Sequence, residues 1–356
     1  LLLFLLTLTT AFKPLSPSSL RHLSRPSDSD FDHLTGALLS PILIPRVPGT
    51  PNSLKVLTHF QHFFTSELPL WKLSTQNSTQ TTPLSRGKKV PFVNFFATRD
   101  PPWKKDGDVG RLVLVAHYDS KVTPEGFIGA IDSAVPCAML LHTARAVDGA
   151  LTRKWKAIEE KGDREEMARE RGVMVLFLDG EEAWENWSDT DSLYGARDLA
   201  HHWDTTFTTA TSTHKTLLST IDLFVLFDLL GSSAPSIPSY FLTTHWAYLH
   251  LASTFESLHT SSLLHSVSSN NKHLTSWFPD TDEFDPPMFS SFIQDDHIPF
   301  LQRGVEILHI IPSHFPSVWH RMEDDGEHLD KDVVKDWGMV AAAWTAGFLE
   351  LEGWIE

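Results

Sequence analysis

Apolar residues along this chain gather in short unbroken runs, and between the runs they recur at helical spacing. The runs "RLVLVAHYD" (111–119), "VMVLFLD" (173–179), "LFVLFDLL" (223–230) and "ILHIIP" (307–312) are rich in Val, Leu and Ile and read as strands buried on both faces. "SAVPCAMLLHTARAV" (133–147), "DSLYGARDLAHHW" (191–203), "WAYLHLASTFESL" (246–258) and "DVVKDWGMVAAAWTAGFLEL" (332–351) read as helices. Together they predict an α/β fold with a mixed, largely parallel central sheet and helices on both faces. Polar residues of possible chemical use fall at the ends of runs spread from residue 117 to 320. In open α/β sheets the loops beyond the strands' carboxyl ends build one common site, so a single domain over 34–356 is expected.

The stretches between these elements are expected to be exposed. "STQNSTQTTPLSRGKKV" (74–90), the Ser/Thr/His-rich 259–276 and the Pro/Asp-rich 279–287 read as loops. Residues 152–172 mix both charge signs densely, as a solvated helix and loop do. "KPLSPSSLRHLSRPSDSDFDH" (13–33) is aperiodic and rich in Ser and Pro, and is expected to be a flexible linker. It follows "LLLFLLTLTTAF" (1–12), which suits a signal peptide or the remnant of a membrane anchor and points to the secretory pathway, with a secreted or Golgi-resident product. Sequons at Asn77 and Asn186 are compatible with that route.

Charge and cysteine content narrow the chemistry. With 29 Lys and Arg against 45 Asp and Glu, the formal net charge of −16 disfavours a nucleic-acid partner. The single cysteine, Cys137, rules out an intramolecular disulfide and a cysteine-rich zinc site, so any metal must be held by His, Asp and Glu.

Such residues terminate the apolar runs: His117 and Asp119, Asp132, Glu181 and Glu182, Asp228, His309 and His320. Singly, each has a structural explanation: a helix cap for Asp132, a strand-end acceptor for Asp228, a hydrogen-bonded core imidazole for any one His. Jointly they form an oxygen and nitrogen donor set that suits zinc with an open coordination position. The sequence "LDGEEAWENWSD" then makes sense, since one of the adjacent glutamates would hold the ion and the other move protons. Trp187, Phe315 and Trp319 lie next to these residues and suit the walls of a small-ligand pocket.

The blocks "AHYDSK", "GAIDSAVPCAMLL", "LDGEEAWENWSDTDSLYGARDLA", "LFDLLG" and "QDDHIPFLQRGVEILHIIPSHFPSVWHRMEDDGEHLD" resemble the glutaminyl-peptide cyclotransferases, which share a fold with zinc aminopeptidases. With "LLSPILIPRVPGTPNS" upstream, the likeness spans about residues 35–352. It implies one zinc per chain on Asp132, Glu182 and His320, Glu181 as general acid and base, and Asp295 with Asp228 as a carboxylate pair behind it. It further implies substrate-binding roles for Trp187, Gln294, His309, Phe315 and Trp319. The substrates would be peptides or proteins beginning with Gln, or with Glu, acted on by a monomer. His117 matches the position where related aminopeptidases bind a second metal. Animal members of the family join the position before "HYDS" to the cysteine of "VPCAM" by a disulfide. Here the first is Ala116, so Cys137 is expected to be unpaired.

Two alternatives stay open at this level: a two-metal aminopeptidase of the same fold, and a catalytically silent ectodomain that uses the fold as a binding surface.

Overall fold

The computed structural model describes residues 12–266, 277–282 and 293–356. A six-stranded sheet organises it: β1 (Lys72–Thr81), β2 (Lys89–Arg99), β3 (Arg111–His117), β4 (Gly172–Leu178), β5 (Ile221–Phe227) and β6 (Ile307–Ile310), in the order β1-β2-β4-β3-β5-β6. The pairs β3/β4, β3/β5 and β5/β6 are parallel, while β1/β2 and β2/β4 are antiparallel. All four parallel strands therefore end at the same edge, and the chain leaves each of them toward one place.

The apolar runs conceal a period of two. Leu112, Leu114, Ala116, Val173, Val175, Phe177, Leu223 and Val225 face one core, shared with the helices Pro51–Glu67, Val135–Lys161, His245–Thr260 and Lys331–Phe348. Val113, Val115, Met174, Leu176, Leu178, Phe224 and Leu226 face the other, covered by the helix Tyr194–Thr205 and the turn of helix Ile298–Leu301. Because both faces are buried, no polar alternation shows in the sequence.

Two expected loops are structured instead. Residues 72–81 pair with β2 along their whole length as an edge strand, although 74–90 reads as a loop. Its side chains are exposed or half-buried throughout, so Ser, Thr, Gln and Asn serve on it and no apolar pattern marks it. The expected linker 13–33 is not a linker in this structure: it carries the short helices Pro17–His22 and Asp28–Phe31 and buries Leu20, Leu23 and Phe31 in the main core. Its Ser and Pro act as helix starters, since the Ser16 side chain accepts from the Ser19 N–H and Pro17 opens the first turn. Residues 267–276 and 283–287 of the two later expected loops lie outside the described residues, as do 288–292 and the apolar segment 1–11. No helix among the described residues is long and apolar enough to cross a membrane.

The docked segment meets the long helix Val135–Lys161 through Phe31, whose ring lies edge-on to His142 at 5.7 Å, and through Asp30, which accepts from Arg145 at 2.5 Å. Burial, with Arg145 nearby, lowers His142 from 6.5 to about 4. A histidine depressed in the folded state contributes stability that is complete above its unfolded pKa and is lost as pH falls. The window runs from about 6.5 to about 4, and the loss approaches about 3 kcal/mol at its lower end. His142→Leu is expected to flatten urea-unfolding stability across this window relative to wild type. An unchanged pH slope in that variant would exclude His142 as the source.

Candidate active site

The turn after β4 bends back because Asp119, two residues beyond β3, accepts hydrogen bonds from the N–H groups of Glu181 at 3.1 Å and Glu182 at 3.2 Å. One buried carboxylate thus fixes both adjacent glutamates. Gly180 occupies the left-handed region (φ +85°), and a Cβ there would strike the Phe92 ring at 2.4 Å, so only glycine fits at this bend.

The two glutamates then diverge in their surroundings. Glu182 is buried and faces His320 Nε2 at 3.6 Å and Lys121 Nζ at 3.1 Å through Oε2, while its Oε1 is buried with no hydrogen-bond partner among the described residues. Asp132 lies 3.4 Å from His320 Nε2 through Oδ2, and 3.0 Å from His117 Nε2 through Oδ1. Ligand atoms of Asp132, Glu182 and His320 fall within 4.8 Å of one another. Burial alone would lower His320, but Asp132 and Glu182 outweigh it and raise it to about 9, so the two carboxylates hold a cation there in the form of a proton. An orphaned carboxylate oxygen and an imidazole nitrogen aimed between two carboxylates fit a divalent ion such as zinc.

Glu181 stands apart from that trio. Burial pushes its carboxyl well above the usual range, and Glu182, Asp295 and Asp296 push the same way against His117. Such a group takes up a proton more readily than a solvated glutamate.

Behind it, the carboxylates expected to act as a pair have separate partners. Asp295 Oδ2 lies 2.7 Å from His309 Nε2, and its Oδ1 accepts the Asp296 N–H at 2.6 Å. Asp228 Oδ1 accepts from the Ser133 hydroxyl and, at 2.8 Å, from the Leu229 N–H. Burial raises Asp295 well above the usual range, and the nearby Asp228 pushes the same way. His309, expected against substrate, is buried in β6 behind Asp295, and burial lowers it to about 3, so it is a neutral hydrogen-bond partner.

The remaining expected residues lie at exposed or half-buried positions in two contacting pairs, the second of them against His320. Trp187 Nε1 donates to Gln294 Oε1 at 2.6 Å, Trp319 stacks on His320 at 3.8 Å, and Phe315 meets Trp319 edge-on at 4.7 Å. Trp187 and Trp319 are more than a third exposed, an arrangement for apolar contact with an entering ligand. His117 Nε2 also lies 3.5 Å from Asp228, so His117, Asp132 and Asp228 form a second triad that shares Asp132 with the first. Cys137 is free and buried, with its thiol donating to the His117 carbonyl at 3.2 Å, and burial pushes it up to about 12.

Sequence reasoning placed Asp119 in the possible donor set, whereas the structure uses it to fix the backbone of the two glutamates, and it singled out no role for Lys121. Lys121 closes the quoted block "AHYDSK", and the need for a cation beside paired glutamates was the signal available for it.

Residues 102–345 match Peptidase family M28. The chain is 37% identical over 322 residues to the glutaminyl-peptide cyclotransferase of Boiga irregularis, an alignment covering 88% of this chain and 80% of that protein. To the glutaminyl-peptide cyclotransferase of Drosophila melanogaster it is 36% identical over 343 residues, covering 95% and 87%. Its fold is similar to that of the Macrostomum lignano glutaminyl cyclase crystal structure, with a TM-score of 0.74 and 30% identity over 96% of this chain and 95% of that one.

Proposed function

This chain belongs to the glutaminyl-peptide cyclotransferase family, on the fold of Peptidase family M28, and we propose that it converts N-terminal glutamine of peptides to pyroglutamate with release of ammonia. The observation that carries this reading is the division of labour between the adjacent glutamates: Glu182 faces Asp132 and His320, whereas Glu181 is a buried, proton-retaining carboxyl with no ion pair to them among the described residues.

Asp132, Glu182 and His320 would hold one zinc ion. When bound, zinc supplies Lewis-acid polarisation of the substrate's γ-carboxamide. The substrate's α-amine nitrogen forms a bond to the carboxamide carbon and gives up a proton to Glu181. Glu181 returns that proton to the departing nitrogen as the carbon–nitrogen bond of the amide breaks, so ammonia leaves and no water is consumed. Burial, together with Glu182, Asp295 (anchored by His309) and Asp296, raises the affinity of Glu181 for the proton it takes from the amine, and Asp228, anchored by Ser133, sits beside Asp295 in the same support. Both reacting groups belong to one residue, so Trp187, Phe315 and Trp319 have mainly to hold a folded glutamine rotamer. The exposure of Asn77 and Asn186 supports glycosylation in a secretory compartment.

The second triad favours one other reading, a two-metal aminopeptidase using His117, Asp132 and Asp228. Against it, Asp228 Oδ1 is already engaged by Ser133 and Leu229. A Gln-initial peptide incubated with the protein is expected to become lighter by one ammonia, and to stay unchanged in the presence of a zinc chelator. Release of free glutamine, with two tightly bound metal ions per chain, would establish the peptidase instead.

A further inference from the structure

Arg46 is fully buried, and its guanidinium donates only to backbone carbonyls among the described residues. Nε reaches Tyr118 O at 2.6 Å, Nη1 reaches Ile42 O at 3.4 Å, Ile44 O at 3.5 Å and Ile128 O, and Nη2 reaches Gly129 O at 3.0 Å and Asp132 O at 3.4 Å. Six acceptors for five N–H groups mean that at least one donor is shared. A charge taken fully out of water is tolerated only when it is so surrounded. The Arg46 N–H also donates to the Ser120 hydroxyl at 2.9 Å, so one residue grips both ends of the loop from 118 to 132.

The grip shapes the loop. Nη2 draws the carbonyls of Gly129 and Asp132 to one nitrogen, and a Cβ at Gly129 would lie 2.1 Å from Asp132 O.

Asp324 holds the same loop by its N–H groups. Its Oδ1 accepts from Ile131 at 2.8 Å and its carbonyl accepts from Ala130 at 3.1 Å. Asp324 in turn closes the turns that carry His320: its N–H donates to Arg321 O at 3.0 Å, and the Arg321 N–H to Val318 O at 3.0 Å.

We propose that Arg46 and Asp324 are positioning residues of the metal site, gripping the carbonyl side and the N–H side of one loop so that Asp132 is set against His320 before a cation arrives. The inference rests on the reading of Asp132, Glu182 and His320 as the ligand set. Residues that orient ligands without touching the metal commonly contribute about 10–100-fold to affinity, because the ordering they impose is not left to the binding event.

The test is the zinc dissociation constant of the full chain, measured by competition with a chromophoric chelator, for wild type, Asp324→Asn, Asp324→Ala and Arg46→Lys. Circular dichroism and urea unfolding identify variants that are folded, and kcat and KM on a Gln-initial peptide are measured alongside. Asp324→Ala is expected to weaken zinc binding by about 10–100-fold, whereas Asp324→Asn, which keeps an oxygen acceptor for the Ile131 N–H, stays near wild type. Arg46→Lys, whose three donors cannot serve six carbonyls, is expected to follow Asp324→Ala. The aspartate pair carries the test if Arg46→Lys does not fold. A folded Asp324→Ala that binds zinc as tightly as wild type would overturn the positioning role, as would an Asp324→Asn that loses as much as Asp324→Ala. Wild type that binds no zinc while Gln-initial peptide is still cyclised would remove the ligand set and this inference with it. No zinc and no cyclisation would remove the proposed function itself.

Discussion

Glu181→Gln is expected to abolish cyclisation of a Gln-initial peptide, lowering kcat by about 10²–10⁴-fold, while the purified variant keeps one zinc per chain. The substitution preserves shape and removes only the capacity to accept and return a proton. The backbone at this position is fixed by the Asp119 carboxylate rather than by the Glu181 side chain, so the turn carrying Glu182 is not expected to move. Initial rates, with zinc content by atomic absorption on the same sample, decide the matter. A variant with kcat within tenfold of wild type would transfer the proton-moving role to another group, and loss of zinc would mean that both glutamates serve the ion.

Asp132→Ala is expected to have the larger effect on the metal. Its carboxylate faces His117 on one oxygen and His320 on the other, so the change removes a ligand and leaves two imidazoles without their shared acceptor. We expect purified Asp132→Ala to lack stoichiometric zinc and to lose at least about 10³-fold in kcat/KM, equivalent to about 4 kcal/mol of transition-state stabilisation. Stoichiometric zinc in this variant would withdraw Asp132 from the ligand set.

What was legible in the sequence follows from where burial is one-sided or complete. The runs at 112–116, 173–178 and 223–227 announce strands because both faces are covered and every position is apolar. β1 does not announce itself, because an edge strand lying mostly in solvent has no apolar face to display. The chemistry was legible as a set of residue types at strand ends, but their assignment to ligand, base or support came only with the resemblance. Asp132, Glu182 and His320 come from three separate loops, and no spacing in the chain encodes their convergence. The supports were harder still to see. Arg46 and Asp324 act on backbone atoms of a distant loop, and Asp324 meets Ile131 across 193 residues of sequence. Neither pattern nor composition carries such a contact.

The segment 13–33 misled for a related reason, and its docking has a consequence for how the chain is made. The Ser16 N–H donates to Glu352 Oε2 at 2.8 Å, across a sequence separation of 336, and the Lys13 N–H donates to Gly347 O. During translation these partners do not yet exist when the segment leaves the ribosome. At roughly 5–20 residues per second, it waits for tens of seconds before the helix Lys331–Phe348 is available to receive it. Until then Leu20, Leu23 and Phe31 lack part of their final packing surface, and the segment is a tether open to whatever attends the emerging chain. It becomes the sealing piece of the main core only once the helix Lys331–Phe348 and Glu352 have been made.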